Sequence, residues 1–233
     1  MSSDDRRLRV AVIGAGFGGV GMAIRLRECG LGPFRVFEKA EGIGGTWWTN
    51  RYPGCACDVP SHLYSFSFAP NPGWTRRYAP RAEIQEYLVR CAERFGVAGH
   101  VETGCGVTRM TWNDGARAWD IDDERGRSWT ADFVVSAIGG LSRPAFPDLA
   151  GLEDFAGRIV HSQQWDESVD VDGKRVAVVG TGASAVQFVP AIAGRAKHVD
   201  VYQRSAQWIL PRHDRAIPRW RRKAYARWPL LQR

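Results

Sequence analysis

Nowhere in the sequence does an apolar run approach the roughly 20 residues that a membrane-crossing helix requires. The first ten residues, MSSDDRRLRV, lack the apolar centre and small-residue cleavage site of a secretory signal. Cysteine is sparse and odd in number. Cys29, Cys55, Cys57, Cys91 and Cys105 include no C-x-x-C pair and no histidines at zinc spacing, which argues against a disulfide framework or metal site and for reduced thiols. Small residues in a tight loop account for the one close pair, Cys55 and Cys57. A cytoplasmic protein is expected.

An excess of charge of one sign is also lacking over most of the chain. The formal net charge is +7, but residues 212–233 hold eight Lys and Arg against one Asp, leaving 24 of each sign in residues 1–211. The body therefore lacks the basic field of a nucleic-acid-binding surface. A composition of 44% hydrophobic and 24% charged residues excludes the disordered class. A chain of 233 residues makes one large domain or two small ones.

What the sequence does have is two glycine-rich loops, each following an apolar run. Val10-Ala11-Val12-Ile13 leads into Gly14-Ala15-Gly16-Phe17-Gly18-Gly19, and Val176-Ala177-Val178-Val179 leads into Gly180-Thr181-Gly182-Ala183-Ser184-Ala185. A short continuous apolar run ending at glycine suits a strand buried on both faces of a parallel sheet. At the first loop, a helix is expected from about Phe17 and a second strand over Phe34 to Glu38, giving a βαβ unit. Gly14 suits the tight turn, Gly16 the close approach of a pyrophosphate, and Gly19 close helix packing. The pyrophosphate is expected on the helix amino terminus, where unpaired N–H groups and the helix dipole favour anions. Glu38, 24 residues after Gly14, stands where a carboxylate accepts hydrogen bonds from ribose hydroxyls. At the second loop, Pro190 should kink or end the helix, and the strand Val199 to Gln203 ends at Arg204, again 24 residues after the first glycine. Acid and base occupy equivalent places, so the first site reads as FAD and the second as NADPH, with Arg204 on its 2′-phosphate.

Between the loops, Gly44 to Asp58 is too rich in glycine and aromatics for a regular element and too apolar for a solvated loop, so something flat is expected against it. Ile84, Tyr87, Leu88, Cys91, Ala92 and Phe95 recur at helical spacing. Val107 to Thr130 reads as a small antiparallel meander, and Asp132 to Gly139 as a separate buried strand. Pro144 and Pro147 mark a boundary. The expected fold is α/β, with two Rossmann-like dinucleotide-binding units and the meander. The domains are 1–141 for FAD and 142–233 for NADPH. Trp220, Ala224, Trp228 and Leu231 recur at helical spacing after Pro218. They suggest an amphipathic helix whose partner lies further along a longer chain, and a route to self-association; a membrane-surface or nucleic-acid helix is the weaker alternative.

Phe155, Gly157, His161, Trp165 and Asp166 fit the pattern F-x-G-x-x-x-H-x-x-x-W-[P/D], by which the chain resembles the Baeyer-Villiger flavin monooxygenases. The resemblance implies that Thr46, Trp47, Trp48, Asp58, Tyr64 and Val107 contact FAD, and that Asp58 is the active-site aspartate. This chain has Ala56 where the family has Arg, and Trp48-Thr49 where it has Tyr-Trp. Ser205 joins Gly180, Thr181, Gly182, Ala183, Ser184, Ala185 and Arg204 on NADPH, within a Q-R-[ST]-x-x-W-x-x-P run that continues through Gln207, Trp208 and Pro211. His161 is expected to couple domain movement to nicotinamide binding.

By the same resemblance the reaction takes NADPH, O2 and a ketone or related substrate, and inserts an oxygen next to the carbonyl. Family members are about twice this length, so a truncated, inactive amino-terminal portion is expected, both domains incomplete at the carboxy-terminal side and Asp58 left to tune a missing arginine. Two alternatives stand beside this: a heteroatom-oxygenating flavin monooxygenase or two-nucleotide reductase, and a non-catalytic FAD/NADP-binding module.

Overall fold

The computed structural model describes residues 7–166 and 168–232. The chain forms two compact units, Met1–Thr49 with Ile84–Ser142, and Asn50–Glu83 with Arg143–Arg233. It is α/β, and each glycine-rich loop joins a strand to a helix as a Rossmann unit requires.

The first unit holds β1 (Arg7–Ile13), α1 (Phe17–Glu28), β2 (Phe34–Phe37), α2 (Thr46–Thr49), most of α3 (Arg81–Arg94), β3 (Val101–Glu102), β4 (Val107–Asn113), β5 (Ala118–Asp123) and β6 (Ser128–Ser136). They build a six-stranded sheet in the order β3-β2-β1-β6-β5-β4. β1 lies between β2 and β6, parallel to both. That central place explains its unbroken apolar run, since Val10, Ala11, Val12 and Ile13 are all buried. Val20, Ala23 and Ile24 of α1 are fully buried, and so are Ile84, Leu88 and Ala92 of α3, which recur at the helical spacing read from the sequence.

Two expectations need correcting here. The Gly44–Asp58 stretch contains a regular turn, α2, whose Trp47 is buried. The last strand of the meander and the strand expected after it are one element: the first half of β6 pairs antiparallel with β5, and from Thr130 onward it runs parallel with β1. A strand that carries one polarity of partner on each edge needs no break in sequence, so its alternation gave no sign of the join.

At the ends of β3 and β5, and just before β6, lies a charge network. The Arg127 guanidinium bridges Glu102 and Asp123 and stacks 5.1 Å over the Trp129 ring. Burial alone would push the Asp123 carboxyl up, but donation from Arg127 and Arg125 holds it below the usual carboxylate range. The neighbouring Cys105 thiol is pushed up to about 12 by burial and by Asp123.

The second unit holds β7 (Arg175–Val179), α4 (Ala183–Ile192), β8 (His198–Tyr202) and α5 (Arg219–Arg227). β7 and β8 form a two-stranded parallel sheet, and Val178, Ala185, Phe188 and Ile192 cluster with Tyr52 and Val171. Pro190 lies in the last turn of α4, which ends at Ile192. α5 is shorter than the apolar spacing suggested. Trp228 is already its carboxy-terminal cap, and Trp220, Trp228 and Leu231 are exposed. Residues 50–83 belong to this unit through long-range bonds that no local pattern announces. Arg76 pairs with Asp214 at 2.7 Å, and the Arg77 N–H donates to the Arg215 carbonyl. The five cysteines are free thiols. No described helix is long and apolar enough to cross a membrane.

Candidate dinucleotide sites

The first glycine loop turns at Gly14, whose φ of 105° lies in the region that favours glycine. A Cβ there would stand 2.6 Å from the Ala137 carbonyl oxygen at the end of β6. Gly16 caps α1 in extended conformation, with no side-chain cap and no acidic residue in the helix's own first turn. A second backbone segment closes on this loop. The Gly44 N–H donates to the Ala15 carbonyl at 3.0 Å, and a Cβ on Gly45 would come within 2.9 Å of the Gly16 Cα. The sequence marked Gly45 only as part of an aromatic stretch, and its contact with Gly16 emerges from the fold.

Glu38 follows β2 directly and is only 5% exposed. Its Oε2 accepts from the Ala15 N–H at 2.7 Å, and its Oε1 from the Ala40 N–H at 2.9 Å. Each oxygen retains a further acceptor position. The buried acid is therefore tied to the glycine loop itself, which fixes it beside the helix terminus. A cradle of glycines with a buried carboxylate at its edge fits the pyrophosphate and ribose of a dinucleotide.

The remaining residues expected near the flavin are distributed. Thr46 begins α2, and the Trp48 ring lies so close over Gly42 that a Cβ there would approach it to 2.3 Å. Val107 opens β4 and packs against the core cluster of Leu8, Ile13 and Phe37. Asp58, exposed, and Tyr64, the cap of a single 3-10 turn at Ser61–Leu63, belong to the second unit.

In that unit the second loop turns at Gly180, with φ of 102°, and Gly182 caps α4 without a side-chain partner or a first-turn acid. Among the described residues, nothing beyond the immediate chain neighbours comes within 4 Å of a Cβ built on Gly180 or Gly182. This loop is open where the first is closed by Gly45. Behind it, burial raises the Tyr52 phenol to about 12, opposed in part by its hydrogen bond with Ser184. Arg204 and Ser205 are exposed just beyond β8. Two residues unnoticed in the sequence, Gln187 and Arg212, hold the loop that precedes Asp58.

The five residues of the linker pattern do not converge. His161 caps a short 3-10 turn, its Nδ1 accepting from the Gln163 N–H at 3.2 Å, and its ring meets Phe146 edge-on at 5.5 Å. Trp165 packs on Phe188 with ring centroids 5.5 Å apart, while Asp166 accepts from the Ser168 N–H and pairs with Arg158. Phe155 is exposed, and its ring lies against Gly157. Their arrangement anchors the linker chain.

Residues 7–220 match the family model described as flavin-binding monooxygenase-like. The chain belongs to the flavin-binding monooxygenase-like family. Within it, a Baeyer-Villiger monooxygenase of Pseudomonas aeruginosa is 51% identical over 228 residues, covering 98% of this chain and 43% of that protein. A Baeyer-Villiger monooxygenase of Streptomyces coelicolor is 51% identical over 210 residues, covering 90% of this chain and 40% of its own length. Among solved structures, the cyclohexanone monooxygenase from Rhodococcus sp. Phi1 bound to NADP+ is similar with a TM-score of 0.88 at 36% identity, over 94% of this chain and 42% of that one. This member of the flavin-binding monooxygenase-like family thus spans about two fifths of the length of the relatives it matches.

Proposed function

We propose that the chain supplies the flavin- and nicotinamide-nucleotide-binding part of a Baeyer-Villiger type monooxygenase, which uses NADPH and O2 to insert oxygen next to a ketone carbonyl. The observation that carries this reading is the pair of strand, glycine loop and helix units in one chain, the first followed by buried Glu38 and the second by exposed Arg204. On this reading Gly14, Gly16 and Gly19 admit the FAD pyrophosphate to the start of α1, and Glu38 accepts from its ribose. Thr46, Trp47, Trp48, Tyr64 and Val107 line the flavin, and Asp58 stands at its reacting side. Gly180 to Ala185 admit NADPH to the start of α4, and Arg204 with Ser205 holds its 2′-phosphate. His161 sets the linker between the nucleotide-binding segments.

FAD, when bound, accepts hydride from NADPH and activates O2; the protein binds, orients and shields. Oxygen insertion also needs a positively charged donor held where negative charge develops, typically worth a hundredfold to a thousandfold in rate. No arginine of this chain matches that group by motif, so the 233 residues alone are expected to consume NADPH without making ester. The test is a flavin absorbance spectrum of the purified chain, followed by oxygen uptake with NADPH and a panel of simple ketones, with products read by mass spectrometry. A yellow protein near one flavin per chain supports the reading. A colourless protein that no added FAD restores rejects it, and ester formation by this chain alone rejects the need for a further charged donor.

A further inference from the structure

Residues 55–57, which lead directly into Asp58, hold every one of their backbone polar groups in a hydrogen bond. The Cys55 N–H donates to the Tyr52 carbonyl at 3.1 Å, and the Cys55 carbonyl accepts from the Arg81 N–H at 2.9 Å. The Ala56 N–H donates to Gln187 Oε1, and the Ala56 carbonyl accepts from Gln187 Nε2, both at 3.0 Å. The Cys57 N–H donates to the Ala79 carbonyl at 2.9 Å, and the Cys57 carbonyl accepts from Arg212 at 2.8 Å. One carboxamide thus meets both groups of Ala56 as a neighbouring strand would, because it offers a donor and an acceptor in one plane.

The same glutamine is engaged from two other directions. The Tyr52 hydroxyl donates to its Oε1 at 3.3 Å. A Cβ on Gly54 would stand 2.8 Å from the Gln187 carbonyl oxygen, so the loop lies directly on the helix backbone. Gln187 is the fifth residue of α4, whose first turn begins in the Gly180–Ala185 loop. Nothing in a dinucleotide fingerprint calls for this side chain, and its bonds run to the aspartate's loop and away from the glycine turn.

We infer that Gln187 is a positioning residue that sets the Asp58 loop from helix α4, so that a nucleotide on the Gly180–Ala185 loop and the place of Asp58 are coupled. The coupling rests on the proposed nucleotide site; the positioning role does not. A methionine at this position matches the length of glutamine with neither donor nor acceptor, leaving both groups of Ala56 unpaired. A glutamate keeps the acceptor and loses the donor.

Amide hydrogen exchange of the purified chain, resolved at Ala56, tests this. Gln187→Met should speed exchange at Ala56 by roughly tenfold or more, and Gln187→Glu by less. Ile192→Val, which trims the core cluster on α4 and leaves the Gln187 carboxamide in place, is the control for general loss of stability. NADP+ should slow exchange at Ala56 in the parent chain and fail to do so in Gln187→Met, with binding followed separately by tryptophan fluorescence. Equal Ala56 exchange in Gln187→Met and in an Ile192→Val control of the same melting temperature overturns the positioning role; if Gln187→Met does not fold, the same comparison with Gln187→Glu decides it. Absence of NADP+ binding by the parent chain overturns the nucleotide assignment and the coupling together, and the comparison without nucleotide still decides the role of Gln187.

Discussion

The carbonyl oxygen of Gly14 lies 1.7 Å from the place where a Cβ on Gly19 would stand. Helix α1 therefore sits on its own glycine turn with no room for a methyl group. Gly16 is different, since a Cβ there meets the Gly45 Cα at 3.6 Å, an ordinary contact. The two glycines separate folding from binding. Gly19→Ala should cost about 3 kcal/mol or more, as overpacking against backbone does, and lower the melting temperature. Gly16→Leu should fold with a smaller loss and fail to quench flavin fluorescence. Unchanged flavin affinity in Gly16→Leu removes the pyrophosphate from this loop.

Arg204 is exposed beyond β8, in the second unit's counterpart of the Glu38 position. Removing a charge-assisted contact to a 2′-phosphate costs on the order of 1.5–3 kcal/mol, a tenfold to hundredfold change in affinity. Arg204→Ala should weaken NADPH by that factor and leave NADH nearly unaffected. Equal titration curves for the two nucleotides with the parent chain would reject the assignment.

Arg127 is the common partner of Glu102 and Asp123, and the Asp123 side chain has no exposed surface. Arg127→Ala should destabilise the first unit by about 3 kcal/mol, because it leaves a buried carboxylate without its cation. The double variant with Asp123→Asn should recover part of that loss, since the remaining group is neutral. Urea midpoints of the single and double variants measure the coupling, and additive losses would show that the pair does not interact.

The pKa of His62 lies below 6.5, through burial and then the nearby charge of Arg221, and its ring meets Tyr225 edge-on at 4.9 Å. The folded protein holds this imidazole neutral more firmly than the unfolded chain does. As pH falls below 6.5 the unfolded state takes up the proton first, so stability decreases with falling pH. His62→Phe should flatten the curve of stability against pH from 6.5 down toward 5. The lowered carboxyl of Asp123 loses its contribution only at more acid pH, near and below 3.8. A parent curve that is already flat between pH 5 and 6.5 would show that His62 titrates alike in both states.

Several features were determined by the sequence alone, because they depend on local periodicity and backbone sterics. β1, α1 and the turn at Gly14 follow from an apolar run, a helical pattern and a conformation that only glycine adopts without strain. The spacing that puts Glu38 at the end of β2 is equally local, and so is the linker pattern by which the family is recognised. Tertiary structure decided what depends on partners distant in the chain. It joined the meander to β1 through one continuous β6, set Gly45 against Gly16, and tied Glu38 to the Ala15 amide. It also placed residues 50–83 with the second unit, through bonds such as those of Gln187 to Ala56, 131 positions apart. The physical reason is that a backbone N–H or carbonyl outside regular structure accepts any partner of correct geometry, so its identity is not encoded beside it in the chain.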